Sequence, residues 1–319
     1  MTESSWPPVA VVGAGAVGCF YGGMLARAGA PVTLIGRPAH VQAIGRDGLL
    51  LDTLGFSERV AVRASTEMTA ARGASLVLFC VKSNDTDAAA RALAPHLEAG
   101  SVVLSLQNGV DNVDRIRARV PGHVHAAVVY VAAAMAGPGH VRHTGRGDLL
   151  IGTVERDPDR RAAAQPILRQ VGAWFERAGV PCPVSADIEG ELWAKLLINC
   201  AYNAISALGR ARYRRIGAHP QALAVLEAAV TEVIAVAEAA GVRLPGGDLL
   251  SAARDISRTM AGATSSTAQD IARGKRTEID HLNGYVVRCG EALGIPVPVN
   301  RTLHALVRLL EEAEPGEAR

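Results

Sequence analysis

Val9-Ala10-Val11-Val12-Gly13-Ala14-Gly15-Ala16-Val17-Gly18-Cys19-Phe20-Tyr21 is the stretch that decides the fold. Four apolar residues run together, a glycine-rich turn follows at once, and apolar residues resume behind it. A short apolar run closed by glycine reads as a buried strand. A GxGxxG pattern is weak by itself, but placed directly after a strand and at the opening of a helix it gains specificity. Its glycines have separate tasks: Gly13 permits the tight turn, Gly15 lets backbone approach a pyrophosphate, and Gly18 lets the helix pack on the strand. The first helical residues, Ala16 and Val17, belong to a helix end whose free N–H groups and positive dipole favour phosphate.

Outward from this point the rhythm continues. Residues 32–35, 76–81, 102–106 and 124–131 are compact apolar runs, and 17–28, 85–97 and 113–119 between them have helical character. Runs apolar on both faces are the mark of parallel strands covered by helices. The pattern predicts an α/β, doubly wound Rossmann sheet, with residues 141–151 as a closing hairpin turning at Gly145, Gly147 and Asp148. After Pro183 strand-like runs stop, and helices are predicted over 188–208, 221–240, 249–260, 276–293 and 301–312. Pro181 and Pro183 suit a boundary. The expected domains are therefore 1–183, nucleotide-binding, and 184–319, all-helical and substrate-binding. The charged tail 311–319, with Pro315 and Gly316, is expected to fray.

Bulk properties exclude several function classes. With 49% hydrophobic and 20% charged residues the chain of 319 residues is globular. Its 33 Lys+Arg against 31 Asp+Glu leave a net charge of +2, which gives no reason to expect nucleic acid or an anionic membrane as partner. The broken basic run 210–215 reads as a solvated helix end or loop. The apolar run 222–240 is interrupted by Glu227, Glu232 and Glu238, so it reads as a buried helix rather than a membrane span. Residues 1–8 lack the basic-then-apolar order of a secretory signal. Five cysteines without a CxxC pair suggest neither a disulfide framework nor a zinc site, and a reducing cytoplasm is the expected compartment. His123 and His125 share a strand face without a carboxylate, so they read as structural and no metal is expected.

Three clusters carry candidate chemistry. The second strand ends in Gly36-Arg37 with no acid at its tip, which points to NADP over NAD, Arg37 clamping the 2′-phosphate; an ordinary surface arginine is the plain alternative. Lys82 in Val81-Lys82-Ser83-Asn84-Asp85 and Asn108 in Leu106-Gln107-Asn108-Gly109 follow strand ends, where open α/β sheets bind ligands. Either residue could instead satisfy loop backbone, and Asp85 could cap the next helix. Lys195, Asn199 and Asn203, each four apart, line one face of an otherwise greasy helix. A Glu191–Lys195 pair would account for the lysine, but not for the two stacked asparagines.

Across residues 9–310 the chain resembles the ketopantoate reductases (2-dehydropantoate 2-reductases). The matching motifs are GAGAVG (13–18), VKSNDT (81–86), LQNG (106–109), ELWAKLLINCAYN (191–203) and RTEIDHLNG (276–284), the last two being the most specific. The resemblance implies a helical C-terminal domain like that of 6-phosphogluconate dehydrogenase, and NADPH-dependent reduction of ketopantoate in pantothenate and coenzyme A synthesis. It implies Lys195 as catalytic lysine and Glu278 as catalytic glutamate. It assigns Asn108, Asn199, Asn203 and Ser266 to the substrate, Lys82 to the cleft, Lys82 and Asn108 also to the cofactor, and Arg37 to the 2′-phosphate. Asp111 departs from the pattern, since the family commonly has glycine there. The family also contains reductases of other branched 2-keto acids and carbonyl compounds, so the substrate stays open. A non-catalytic NADP-binding sensor is the alternative of another class; it would need the glycine loop and Arg37 but not Lys195 with Glu278. The helical domain would also be compatible with a homodimer.

Overall fold

The computed structural model describes residues 6–312; the readings of residues 1–5 and of the tail from 313 onward lie outside the described residues. The chain divides into two compact units, one comprising Met1–Gln107 with Asp111–Ile188, the other Asn108–Val110 with Glu189–Arg319.

The N-terminal unit is built on a nine-stranded sheet. Its heart is β1 (Val9–Val12), β2 (Val32–Ile35), β6 (Leu76–Phe79) and β7 (Val102–Ser105), each buried at every position. These run parallel with β1 between β2 and β6. The full burial explains why these strands read as unbroken apolar runs. Helices α1 (Ala16–Arg27), α3 (Thr86–Leu93) and α4 (Asn112–Arg117) provide the expected crossovers. Strand β8 (His123–Gly137) continues the parallel set beside β7. Because β2 lies on one side of β1 and β6 on the other, the strand order reverses at the ends of β1 and β6, where such folds bind ligands.

The closing hairpin differs from the sequence reading. Strand β9 (His140–Gly152) runs antiparallel to β8, and the chain turns at Pro138-Gly139, not at residues 145–148. Gly145 and Gly147 pair within the ladder with Ala132 and Val131, and Arg146 between them bulges out at φ 42. Glycines inside a strand commonly mark such a bulge. Gly147 is also needed for space, because a Cβ there would lie 3.1 Å from the Phe20 ring.

Four elements of this sheet region were not expected: α2 (Pro38–Asp47), β3 (Leu49–Asp52), β4 (Ser57–Val60) and β5 (Arg63–Ser65). Helix α2 buries only Ile44, and β4 is exposed at three of its four positions, so neither carries an apolar signature. Helix α5 (Pro158–Arg177), capped by Asp157, was likewise not foreseen.

The helical unit contains α6 (Ile188–Leu208), α7 (Tyr213–Ala218), α8 (Pro220–Ala239), α9 (Leu249–Thr259), α10 (Ser266–Ala272), α11 (Asn283–Leu293) and α12 (Pro298–Glu312). Its core joins Trp193, Leu196 and Leu197 of α6 to Val230 and Val233 of α8 and Val286 of α11. Val110 packs on this core, which ties the 108–110 segment to the unit. Amides stitch the helices together: Asn283 donates to the Cys200 carbonyl and to Asn300, and Asn300 donates to the Ala229 carbonyl. The expected helix 276–293 begins late. Residues 276–278 are not helical, and a 3-10 turn (Ile279–His281) precedes α11. Of the basic run 210–215, Tyr213–Arg215 open α7, with Arg212 as its N-cap, which is the helix-end alternative. Glu311 and Glu312 belong to α12, so the frayed tail does not begin there. Among the described residues no helix is long and apolar enough to cross a membrane, and no cluster could hold a metal ion.

One histidine makes the N-terminal unit acid-sensitive. His125 on β8 is 4% exposed, and neither ring nitrogen has a hydrogen-bond partner in the protein. Burial, then the neighbouring His123 and Arg117, pushes its pKa from 6.5 down to about 4. The folded state therefore binds fewer protons than the unfolded state between these values. Its contribution is full above pH 6.5 and is lost as pH falls through this window, by at most about 1.4 kcal/mol per pH unit. His125→Leu should flatten the fall in melting midpoint between pH 7 and pH 4.5. Parallel pH curves for variant and wild type would remove His125 as the cause.

Candidate active site

The glycine loop has the geometry of a phosphate cradle. Gly13 sits at φ +107, which only glycine adopts without strain, and a Cβ on it would meet the backbone of Cys80 and Val81 at 2.7 Å. A Cβ on Gly18 would strike the Gly13 carbonyl and, at 2.8 Å, Val11 on β1. These two glycines buy close packing of loop, strand and helix. At Gly15 a Cβ would meet nothing within 4 Å, so this glycine faces open space. Gly15 is the N-cap of α1, supplies no side chain, and no acid stands in the first turn. The N–H groups of Ala16, Val17 and Gly18 have no intrahelical partner by position, and their charge suits an anion. The loop is tied down by Gly13 and Ala14 N–H groups donating to the Ile35 carbonyl at 2.9 and 3.0 Å. A dinucleotide pyrophosphate therefore fits these residues.

Arg37 leaves the tip of β2 as the exposed N-cap of α2, with no ion pair among the described residues. Gly36 allows this exit to pass the loop closely, since a Cβ would lie 2.5 Å from that of Ala14.

Lys82, half-buried, opens a short 3-10 turn (Ser83–Asp85) after β6. Asp85 takes the N-cap position of α3 but gives it no side-chain hydrogen bond. Below this turn lies a buried polar network that the sequence reading passed over. Gln107 donates to the Val81 carbonyl at 3.0 Å and to Thr86 Oγ1 at 2.7 Å, and accepts from Ser105 Oγ at 3.0 Å. Thr86 donates to Asn112 Oδ1 at 2.9 Å, and Asn112 Nδ2 to Ser83 Oγ at 3.2 Å. The network fixes the backbone at Val81, next to Lys82. Polar residues directly after an apolar strand were its only sequence signal. Asp111, where glycine was expected, has φ −93 at the N-cap of α4, so no left-handed conformation demands glycine there.

In the helical unit, α6 presents Lys195, Asn199 and Asn203 along one face, flanked by the buried Leu196, Leu197 and Cys200. Asn203 is 3% exposed, whereas Lys195 and Asn199 are half-buried. Burial pushes the Cys200 thiol up, so it is no nucleophile at neutral pH. Ser266 is the exposed first residue of α10, and its neighbour Ser265 is the buried one. Ser265 caps α10 by accepting from Ala268 N–H and donates to the Asn203 carbonyl at 3.1 Å, which anchors Ser266 to α6. Glu278 is half-buried on the non-helical segment before the 3-10 turn, and Asn108 Nδ2 donates to its Oε2 at 3.2 Å. The structure thus brings together two residues 170 apart in sequence that the motif reading had assigned separately.

A doubly wound sheet with this loop, joined to a helical unit that sets a lysine among amides, is the architecture of a dinucleotide-dependent oxidoreductase. The chain belongs to the ketopantoate reductase family: the ketopantoate reductase PanE/ApbA model matches residues 9–156, and the model of that family's C-terminal part matches residues 187–311. It is 37% identical to a 2-dehydropantoate 2-reductase of Halobacterium salinarum, over 95% of this chain and 98% of the relative. A solved PanE/ApbA family ketopantoate reductase from Ralstonia eutropha is similar with TM-score 0.89 and 55% identity, over 95% of this chain and 98% of that one. D-mandelate dehydrogenase, solved with NADH and anilino(oxo)acetate, shares the fold with TM-score 0.87 at 24% identity, over 95% of this chain and 98% of that one.

Proposed function

We propose that this chain reduces 2-dehydropantoate to pantoate with NADPH, as a cytoplasmic step of pantothenate and coenzyme A synthesis. The observation that carries the reading is the polar face of α6. A lysine and two amides stand in register on a helix whose other faces are packed with apolar side chains. A polar stripe of this composition, a cation with two uncharged amides, suits a small polar ligand.

When bound, the reduced nicotinamide supplies the hydride that attacks the keto carbon. Negative charge then grows on the ketone oxygen. Lys195, as an ammonium, stabilises that charge and delivers the proton. Glu278 takes the substrate hydroxyl as hydrogen-bond donor, and Asn108 Nδ2 orients the carboxylate. Asn199, Asn203 and Ser266 hold the acid by hydrogen bonds that add no charge. Lys82 supports substrate and cofactor after β6. Gly13, Gly15, Gly18 and the adjoining N–H groups hold the pyrophosphate, and Arg37 the 2′-phosphate.

The test is NADPH consumption across a panel of 2-keto acids. The reading expects the highest kcat/KM with 2-dehydropantoate. A preferred keto acid with a different side chain would overturn the substrate, and tight NADP binding without oxidation by any of them would make the chain a sensor. For the cofactor, Arg37→Glu should lower kcat/KM with NADPH about 10- to 100-fold, because charge-assisted bonds to the 2′-phosphate give way to repulsion. NADH should be little affected. A wild-type preference for NADH would sink this assignment.

A further inference from the structure

The carboxylate assigned to catalysis stands on weak local structure. Gly274 to Arg276 are exposed and not helical, and Glu278 only precedes a three-residue 3-10 turn. A loop does not by itself hold a side chain to the tolerance that catalysis needs. Asn108 meets the carboxylate itself, and the backbone that carries it is held from outside the segment, for the most part by α12.

Helix α12 touches the segment on both sides of Glu278. On the N-terminal side, Thr277 N–H donates to Glu311 Oε1 at 2.6 Å, and Thr277 Oγ1 accepts from Ile279 N–H at 3.2 Å, bridging across Glu278. On the C-terminal side, Asp280 receives His304 Nε2 at 2.7 Å and Arg308 Nη1 at 3.2 Å. Arg276 adds a third donor to Asp280 at 3.1 Å, and Arg288 donates to the Asp280 carbonyl at 2.9 Å. Burial alone would raise the Asp280 carboxyl, but His304, Arg308 and Arg276 outweigh it and hold it below the usual carboxylate range. Arg308 Nη1 also reaches Glu311 Oε2 at 3.4 Å, so one guanidinium joins the two sides. Between them Ile279, 1% exposed, packs with Leu303 and Val307 of the same helix.

These α12 residues (303, 304, 307, 308 and 311) follow helical spacing and form one stripe. Its apolar members seat Ile279, and its polar members grip residues 277 and 280. Gly284 makes room for the grip, because a Cβ there would lie 2.8 Å from His304 Nε2. The partly exposed pairs of Asp280 with His304, Arg308 and Arg276 add little net stability, whereas Ile279 against Leu303 and Val307 gives the helix an apolar seat. Converging several donors on one carboxylate two residues from Glu278 has a clearer use in fixing where Glu278 points.

We propose that Asp280, His304, Arg308 and Glu311 form a positioning device for Glu278, with Arg308 as its keystone. The inference rests on the proposed role of Glu278 and names residues that act only through it. Arg308→Met should lower kcat about tenfold, the scale expected for a small misplacement of a catalytic group. The NADPH dissociation constant, read by fluorescence, should not move, and the melting midpoint should shift by no more than a few degrees, roughly. The decisive readout is non-additivity. In a Glu278→Gln background the same substitution should cost less than about twofold. Wild-type turnover in Arg308→Met, or an equal fold-loss in both backgrounds, overturns the proposal while leaving Glu278 in place. Unimpaired turnover in Glu278→Gln itself removes both readings. If Arg308→Met loses its melting transition, the milder His304→Leu takes its place in the cycle, with the same criteria, and His304→Gln, which keeps a donor toward Asp280, should restore turnover.

Discussion

Lys195→Met should lose about 10²- to 10⁴-fold in turnover while binding NADPH as well as the wild type. Lys195 sits on α6, whose neighbouring positions Leu196 and Leu197 are each 1% exposed, so an apolar chain of similar length leaves the packing intact. On the proposed mechanism it removes a positive charge and a proton beside an oxygen that becomes an alkoxide. The interaction is stronger in the transition state than in the ground state, so kcat and kcat/KM should fall together. A variant that lowers only the apparent affinity would demote Lys195 to a substrate anchor. Wild-type turnover would remove it from the chemistry. The glycine loop lies in the other unit, which is why cofactor affinity, measured by fluorescence titration, is the control that isolates the lysine.

The parts of this molecule that were legible in the sequence share a physical property. Strands β1 and β2 are recovered at their observed bounds because both of their faces are buried, and burial leaves an unbroken apolar run. Helix α6 is recovered because it is apolar around most of its circumference and polar along one stripe. Strand β4 and helix α2 were not, because β4 is exposed at three of its four positions and α2 buries only Ile44, so neither leaves an apolar pattern. β3 and β4 form a local hairpin, but the parallel pairing of β3 with β9 that brings them into the sheet is non-local, and no composition encodes it. The hairpin was misplaced for a related reason: glycine marks both a turn and a bulge, and only the partner strand decides between them. The same division runs through the candidate site. Lys195, Asn199 and Asn203 announce themselves by helical spacing. Gln107 and Asp280 act on other residues across gaps of up to 28 positions and stay hidden until the fold is known. Glu278 was legible through its family motif, but its contact with Asn108 was not.

Gly13→Ala and Gly15→Ala, one loop apart by two positions, should fail in different ways. At Gly13 the new Cβ has two problems. The φ of +107 is strained for any L side chain, at about 1–2 kcal/mol, and the Cβ lies 2.7 Å from backbone at Cys80 and Val81. Backbone at the end of a buried central strand does not yield cheaply, and overpacking of this kind typically costs another ~1–3 kcal/mol. Gly13→Ala should therefore lower the melting midpoint of the cofactor-free protein and weaken NADPH binding with it. At Gly15 the φ is −88 and the Cβ meets nothing, so alanine is tolerated by the free protein. Its smaller unfolded-state entropy could even raise stability slightly, by about 0.4–1 kcal/mol. On the proposed reading, however, the open space is where the pyrophosphate approaches the backbone. Gly15→Ala should leave the melting midpoint of the free protein unchanged or slightly higher, yet raise the NADPH dissociation constant at least about tenfold, a loss on the scale of one charge-assisted hydrogen bond. Differential scanning fluorimetry with and without NADPH reads both quantities. If Gly15→Ala gains the same thermal shift from NADPH as the wild type, the space above Gly15 is not the phosphate cradle, and the anion must be sought at another part of the α1 N-terminus.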